Sequence, residues 1–193
     1  MIPTYASLGS ISEGTLRTDD LLRAFLDALD ALRESRSFDC IGSPESEMRN
    51  AETHGREDSE LGEIERNLTE WAESEQDESS SACIGLAAQL YSDLESVDEM
   101  LSEYVPPLCY FGTAEGDGAC FGFWLECDAI ERAKDEPEEY ALVSDTSELQ
   151  DGTEPFALLI NDHGNVTLYA REILSEDPTV YGSENLAEVW SVV

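Results

Sequence analysis

The chain has 193 residues and sets 10 basic side chains, nine Arg and the single Lys134, against 44 acidic ones, for a net charge of −34. Charge of that sign and size repels polyanions and attracts cationic surfaces, which excludes direct binding to nucleic acid or to an anionic membrane. Hydrophobic residues at 41%, with three Trp, seven Tyr and six Phe, set it apart from a disordered acidic chain and supply a core.

Residues 1–16 read as an extended arm packed on the fold. Thr18 followed by Asp19 and Asp20 predicts a helix start, since a hydroxyl caps free amides and carboxylates favour the positive end of the helix dipole. That helix runs to about 36, with Leu21, Leu22, Phe25, Leu26, Leu29 and Leu32 at core-facing spacing. Residues 43–81 hold thirteen acids against Arg49, Arg56 and Arg66, a local net charge of −10. Only Leu61, Ile64, Leu68 and Trp71 recur there at helical intervals. A helix from about 58 to 75 is expected, preceded by a mobile or frayed stretch and followed by a linker over 73–81. A stronger helix is predicted from about 82 to 104, with Ile84, Ala87, Tyr91, Leu94, Val97 and Leu101 toward the core. Its other side carries Asp93, Glu95, Asp98, Glu99 and Glu103 with no base among them, and Pro106-Pro107 stops it.

Beyond Pro107 the apolar period becomes that of strands. Leu108-Cys109-Tyr110-Phe111 and Cys120-Phe121-Gly122-Phe123-Trp124-Leu125 flank the Gly-rich hairpin loop Glu115-Gly116-Asp117-Gly118. A short helix over 128–134 follows, then strands at 140–144, 156–161 and 166–171, with Asp162-His163-Gly164-Asn165 as a tight turn, and a final alternating strand at 187–193. The resulting expectation is an α+β fold, with N-terminal helices packed on one face of a mostly antiparallel sheet of about five strands. Residues 1–107 form the arm and acidic helical region and 108–193 the sheet region, together one compact domain.

Sites for chemistry are sparse. Cys40, Cys83, Cys109, Cys120 and Cys127 are odd in number and lack any CxxC spacing, which fits reduced thiols in a cytoplasmic protein and leaves no zinc site, no other metal and no cofactor to expect. No transmembrane stretch and no signal-peptide pattern at residues 1–4 point the same way. His163, with Asp117, Asp145 and Asp162 to orient it, is the catalytic candidate by residue type. Asp, Gly and Asn are also the residues that reverse a chain between two strands, so a turn accounts for the segment without catalysis, and no enzyme is expected. No phosphate-binding loop, EF-hand loop or nucleophile elbow is present.

In the second half, Tyr110-Phe111-Gly112, Gly116-Asp117-Gly118, Phe121-Gly122-Phe123-Trp124, Val143-Ser144-Asp145, Asn161-Asp162-His163-Gly164-Asn165-Val166-Thr167-Leu168-Tyr169 and Glu188-Val189-Trp190-Ser191-Val192-Val193 resemble small acidic proteins of bacteriophages and mobile elements. The arm Tyr5-Ala6-Ser7-Leu8-Gly9-Ser10-Ile11-Ser12 with Gly14-Thr15-Leu16-Arg17 is similar to the same group. That resemblance implies a viral context, in which strongly acidic proteins imitate DNA to inhibit restriction enzymes or CRISPR effectors. The function expected is a non-enzymatic inhibitor occupying the cationic nucleic-acid-binding surface of such a host complex in the host cytoplasm. Its partner-binding carboxylates are Glu63, Glu70, Glu73, Asp93, Glu95, Asp98, Glu99 and Glu103, and a homodimer would lengthen the acidic face. The competing expectation is a halophilic, salt-adapted accessory protein whose acidity only solvates it.

Overall fold

The computed structural model describes residues 4–39, 44–74, 81–135, 139–150, 154–173 and 181–192, of which 36–39, 44–57, 150, 172, 173 and 181–185 are described through their backbone alone. Expectations that fall on Cys40 and on most of the 73–81 linker lie outside the described residues. The chain divides into two compact units, one of Ile11–Glu103 and Glu115–Phe121, the other of Met1–Ser10, Tyr104–Ala114 and Gly122–Val193. Among the described residues no helix is long and apolar enough to cross a membrane.

The first unit is helical. α1 (Thr18–Asp39) buries Leu21, Leu22, Phe25, Leu26 and Leu29 on one stripe, as their spacing predicts. Its first helical hydrogen bond runs from the Leu21 amide to the Arg17 carbonyl, so Arg17, not Thr18, is the N-cap. Arg17 instead pairs with Asp19 and Asp20, and the Thr15 hydroxyl donates to Asp20. α2 (Pro44–Glu73) begins well before the expected start at 58, with Pro44 at the first position, where its missing amide hydrogen costs nothing. It buries Leu61, Ile64 and Leu68. α3 (Ser81–Ser102) packs against both α1 and α2.

The face that α3 buries differs from the expected one. Cys83, Leu90, Asp93, Val97 and Leu101 are inside, whereas Ile84 and Tyr91 are 58% and 59% exposed. Two apolar stripes overlap on this helix, one through Ile84, Ala87 and Tyr91 and one through Cys83, Leu86 and Leu90. They converge on Val97 and Leu101, and packing on α1 and α2 selects the second.

The expected single sheet of about five strands is instead two sheets, within the α+β class foreseen. β1 (Gly9–Glu13), β2 (Cys109–Ala114) and β3 (Asp117–Leu125) form the first, in the order β1-β3-β2. The arm thus becomes a strand, which its five residues, only Ile11 among them strongly apolar, do not announce. β4 (Tyr140–Val143), β5 (Phe156–Ile160), β6 (Val166–Ile173) and β7 (Tyr181–Val192) form the second sheet in chain order. β4 and β5 are parallel, and the remaining pairs are antiparallel. The 3₁₀ turn at Thr146–Gln150 lies in the connection that the parallel pair requires. α4 (Cys127–Asp135) contributes Ile130 and Ala133 to a core with Leu158, Leu168 and Trp190.

A strained turn ties this core together. Leu108 is a non-glycine residue at positive φ, 63°, a conformation that costs an L-residue about 1–2 kcal/mol. The Cys109 amide donates to the Pro106 carbonyl at 3.2 Å, closing a turn around Pro107 and Leu108. Trp190 Nε1 donates to the Pro107 carbonyl at 3.0 Å, and the Glu126 amide to the Leu108 carbonyl at 2.9 Å. Packing of Leu108 on the Trp190 cluster offsets the backbone strain.

Gly122 is a site of close approach. A methyl group built there would overlap the Gly9 carbonyl oxygen and lie 2.8 Å from Ser10 Cα. Both obstacles are backbone, so the strands must separate to admit a side chain. Gly122→Ala is expected to lower stability by about 3 kcal/mol, an overpacking cost, measured as a fall in the urea midpoint with the m-value unchanged.

Candidate acidic interface

The carboxylates singled out by sequence separate into two groups once the helices are packed. Glu63, Glu70 and Glu73 on α2 are exposed, as are Glu95, Glu99 and Glu103 on and just after α3, and Asp98 is half-buried beside them. Asp93 is not part of the array. At 6% exposure it sits on the core side of α3, where Asn67 Nδ2 and Gln89 Nε2 each donate to it at 2.9 Å. Helical geometry explains the difference. At 100° per residue Asp93 points about 160° away from Glu95, so a run of acids that looks continuous in sequence divides between inside and outside.

Asp93 has a structural role. A carboxylate only accepts hydrogen bonds, so both side-chain amides must present their NH₂ groups to it. Asn67 lies on α2 and Gln89 one turn earlier on α3, so the buried carboxyl group joins the two helices at a fixed register. Loss of the carboxyl group leaves the half-buried Asn67 amide without its acceptor, which costs about 1–3 kcal/mol, while the exposed Gln89 amide turns to water.

The exposed acids follow the outer side of α3. Glu95, Asp98 and Glu99 lie on its outward stripe and Glu103 on the turn that ends it, with no base in the helix. Four charges over eight residue steps occupy about 12 Å of axis, or one per ~4 Å, close to the one phosphate per ~3.4 Å of a DNA strand. Burial, and then the neighbouring Glu99 carboxylate, push Asp98 above its ordinary pKa of 3.8. On α2 the row is interrupted by Arg66, also exposed.

His163 and Asp162 belong to an exposed turn. His163 Nε2 is 3.5 Å from Asp162 Oδ1, with both side chains 80% or more exposed. Asn161 Oδ1 accepts the amides of His163 and Asn165 at 3.0 Å each, which is a turn held by its own side chain. Asp117 Oδ1 accepts the Ala119 amide of its own loop at 3.0 Å. Asp145 instead caps the 3₁₀ turn, where the Ser147 hydroxyl and amide hold its carboxyl below the usual range. Among the described residues no group of three or more His, Cys, Asp or Glu is placed to hold a metal ion. Cys109 is pushed up to about 12 by burial, which makes its thiol unreactive at neutral pH.

Sequence reasoning missed the apolar half of the same outward stripe, formed by Ile84, Ala88 and Tyr91. All three are exposed, in line with Glu95 and Glu99. The signal was present as the second stripe through Cys83, Leu86 and Leu90, which leaves Ile84 and Tyr91 outside. No family model, curated protein or solved structure matches this chain.

Two measurements check this description. Asp93→Ala is expected to lower unfolding stability by about 1–3 kcal/mol because the half-buried Asn67 amide loses its acceptor, while Glu95→Ala stays within about 0.5 kcal/mol, both read from urea titrations. Folded Asp98 keeps its proton at pH values where the unfolded chain has lost it. Its contribution is therefore fully present at low pH and disappears as pH rises through its raised folded pKa. Asp98→Asn should flatten the loss of stability just above pH 3.8 and leave the variant more stable than the parent at neutral pH.

Proposed function

We propose that this protein is a non-enzymatic acidic inhibitor that occupies the cationic nucleic-acid-binding surface of a host defence complex, of the restriction or CRISPR-effector type, with carboxylates standing where phosphates would lie. The observation that carries this reading is the outward row Glu95, Asp98, Glu99 and Glu103, free of bases and set at nearly the axial charge density of a nucleic-acid strand. Order matters as much as charge. A mobile acid loses rotamer freedom on docking, about 0.5–1.5 kcal/mol for each side chain, whereas this row stands on a helix whose opposite face is buried. A groove lined with Lys and Arg gains from either ligand through release of condensed ions. The viral setting comes from the sequence resemblance alone.

A second reading has its own observation. Exposed acids also cover the other unit, at Asp128, Glu131, Asp135, Asp145, Glu148, Asp162 and Glu188. Such a distribution suits a chain adapted to high salt, in which the α3 row is only part of a hydrated coat.

Displacement of DNA separates the two. A labelled duplex is bound to purified restriction and CRISPR effector complexes, and this protein is titrated in. An inhibitor displaces the duplex from at least one complex, with an affinity that falls steeply with salt. The triple variant Glu95→Gln, Asp98→Asn, Glu99→Gln should need about tenfold more protein and show a shallower salt slope. Displacement that is absent throughout, or indifferent to the triple variant, selects the coat.

A further inference from the structure

The outward stripe of α3 changes character halfway along the helix, and the acidic row is only half of it. Ile84, Ala88 and Tyr91 occupy its first two turns, Glu95, Asp98 and Glu99 the next two. Ile84 is 58% and Tyr91 59% exposed, while Leu90, Val97 and Leu101 on the other face are at 1% or less. The helix therefore does not need Ile84 or Tyr91 for its own packing. Among the described exposed positions acids are the most frequent class, and Ile84 and Tyr91, with Leu16, are the most exposed large apolar side chains; only Ile84 and Tyr91 share one helix face, at i and i+7. Solvation by acids alone has no use for them.

We propose that this stripe is a two-part docking surface for a basic protein, in which Ile84, Ala88 and Tyr91 enter an apolar depression while Glu95, Asp98 and Glu99 pair with Arg or Lys beside it. The proposal rests on the inhibitor reading above and specifies its partner more closely. Charge complementarity selects the occupant. A second copy carries the same −34 charges. Laid parallel on this stripe, it would set acid against acid, and laid antiparallel it would bury carboxylates against Ile84 and Tyr91 without a partner. A basic protein surface has neither conflict. Tyr91 and Glu95 are one turn apart, a spacing at which one arginine of the partner stacks on the ring and pairs with the carboxylate. Nucleic acid offers a basic groove nothing equivalent to the Ile84 and Tyr91 contact, so that contact tells the partner apart from any DNA-binding surface of equal charge and survives salt that dissolves the ion pairs.

Two synthetic probes test this: an amphipathic helical peptide of Leu and Arg, and an oligo-arginine of equal charge. Each is titrated into the full chain at about 0.05 M and about 0.5 M NaCl, with amide shifts recorded on the labelled protein. The Leu/Arg peptide should bind about tenfold tighter than oligo-arginine at the higher salt, with its largest shifts at residues 84–99. Ile84→Ser with Tyr91→Ser should abolish that advantage and leave oligo-arginine binding unchanged, and both side chains are exposed enough for the variant to fold. The triple neutral variant should weaken both probes at low salt. Equal affinity for the two probes, or an advantage that survives the Ser variants, overturns the docking proposal and leaves the inhibitor reading standing. Leu/Arg binding untouched by the triple variant overturns the acidic half and the inhibitor reading with it. Failure of both probes to bind overturns both, and self-association through Ile84 and Tyr91 in high salt puts a second copy in the partner's place.

Discussion

A buried carboxylate sets which side of α3 faces outward. Asp93 accepts from Asn67 on α2 and from Gln89 on its own helix, and it is nearly inaccessible. Rotating α3 to bury Ile84 and Tyr91 would bring Asp93 toward solvent but strip both amides of their acceptor and expose Leu90 and Val97. The hydrogen bonds lost, about 1 kcal/mol each, add to the apolar burial lost. Hydrophobic periodicity alone allows two rotations of this helix, and the polar contact distinguishes them. The exposed positions of Glu95 and Glu99 follow from the position of Asp93.

The rest of the charge has little pairing to draw on. Arg17 pairs with Asp19 and Asp20, Arg33 with Asp58, Arg132 with Glu126 and Lys134 with Glu131. Pairs of this exposed kind contribute at most about 1 kcal/mol each, so they do not offset the mutual repulsion of 34 unbalanced charges. The cores around Phe25, Leu90 and Val97 in one unit and around Leu158, Leu168 and Trp190 in the other must overcome it. One base is spent differently. Arg171 is 1% exposed on β6, its guanidinium nitrogens have no hydrogen-bond partner among the described residues, and burial holds its pKa below the ordinary value despite nearby Glu154.

Much of the architecture was readable where one apolar stripe had no rival. α1 shows its core face in Leu21, Leu22, Phe25, Leu26 and Leu29, and the strands around Phe123, Leu158 and Leu168 fall where alternation and turn residues put them. The reading failed where two patterns competed or where the signal was tertiary. α3 offers two interleaved stripes, and only contact with α1 and α2 chooses between them. β1 lacks the apolar alternation of a buried strand, and its pairing with β3 depends on the absence of a side chain at Gly122. The 3₁₀ turn had a local sign, Asp145 two residues before Ser147, of the kind that caps a helical turn. The acidic site was readable as composition but not as geometry, because sequence treats Asp93 and Glu95 alike while helical rotation sends them to opposite sides.

Charge density and charge order have different consequences for what the molecule does. Charge spread over both units raises solubility and repels other polyanions at any orientation, which makes it a property of the whole surface and selects no partner. The α3 row differs because its members are fixed relative to one another and to Ile84 and Tyr91. A strand of DNA lacks that apolar neighbour, so a protein that only copied phosphates would compete for every basic groove in the cell with similar strength. On the proposed reading, placing the row beside an apolar contact would turn a general attraction into a choice among basic surfaces, since only a partner with a matching depression gains from both halves. In the docking we propose, long-range attraction would govern how fast the two meet, and the apolar contact how long they remain together.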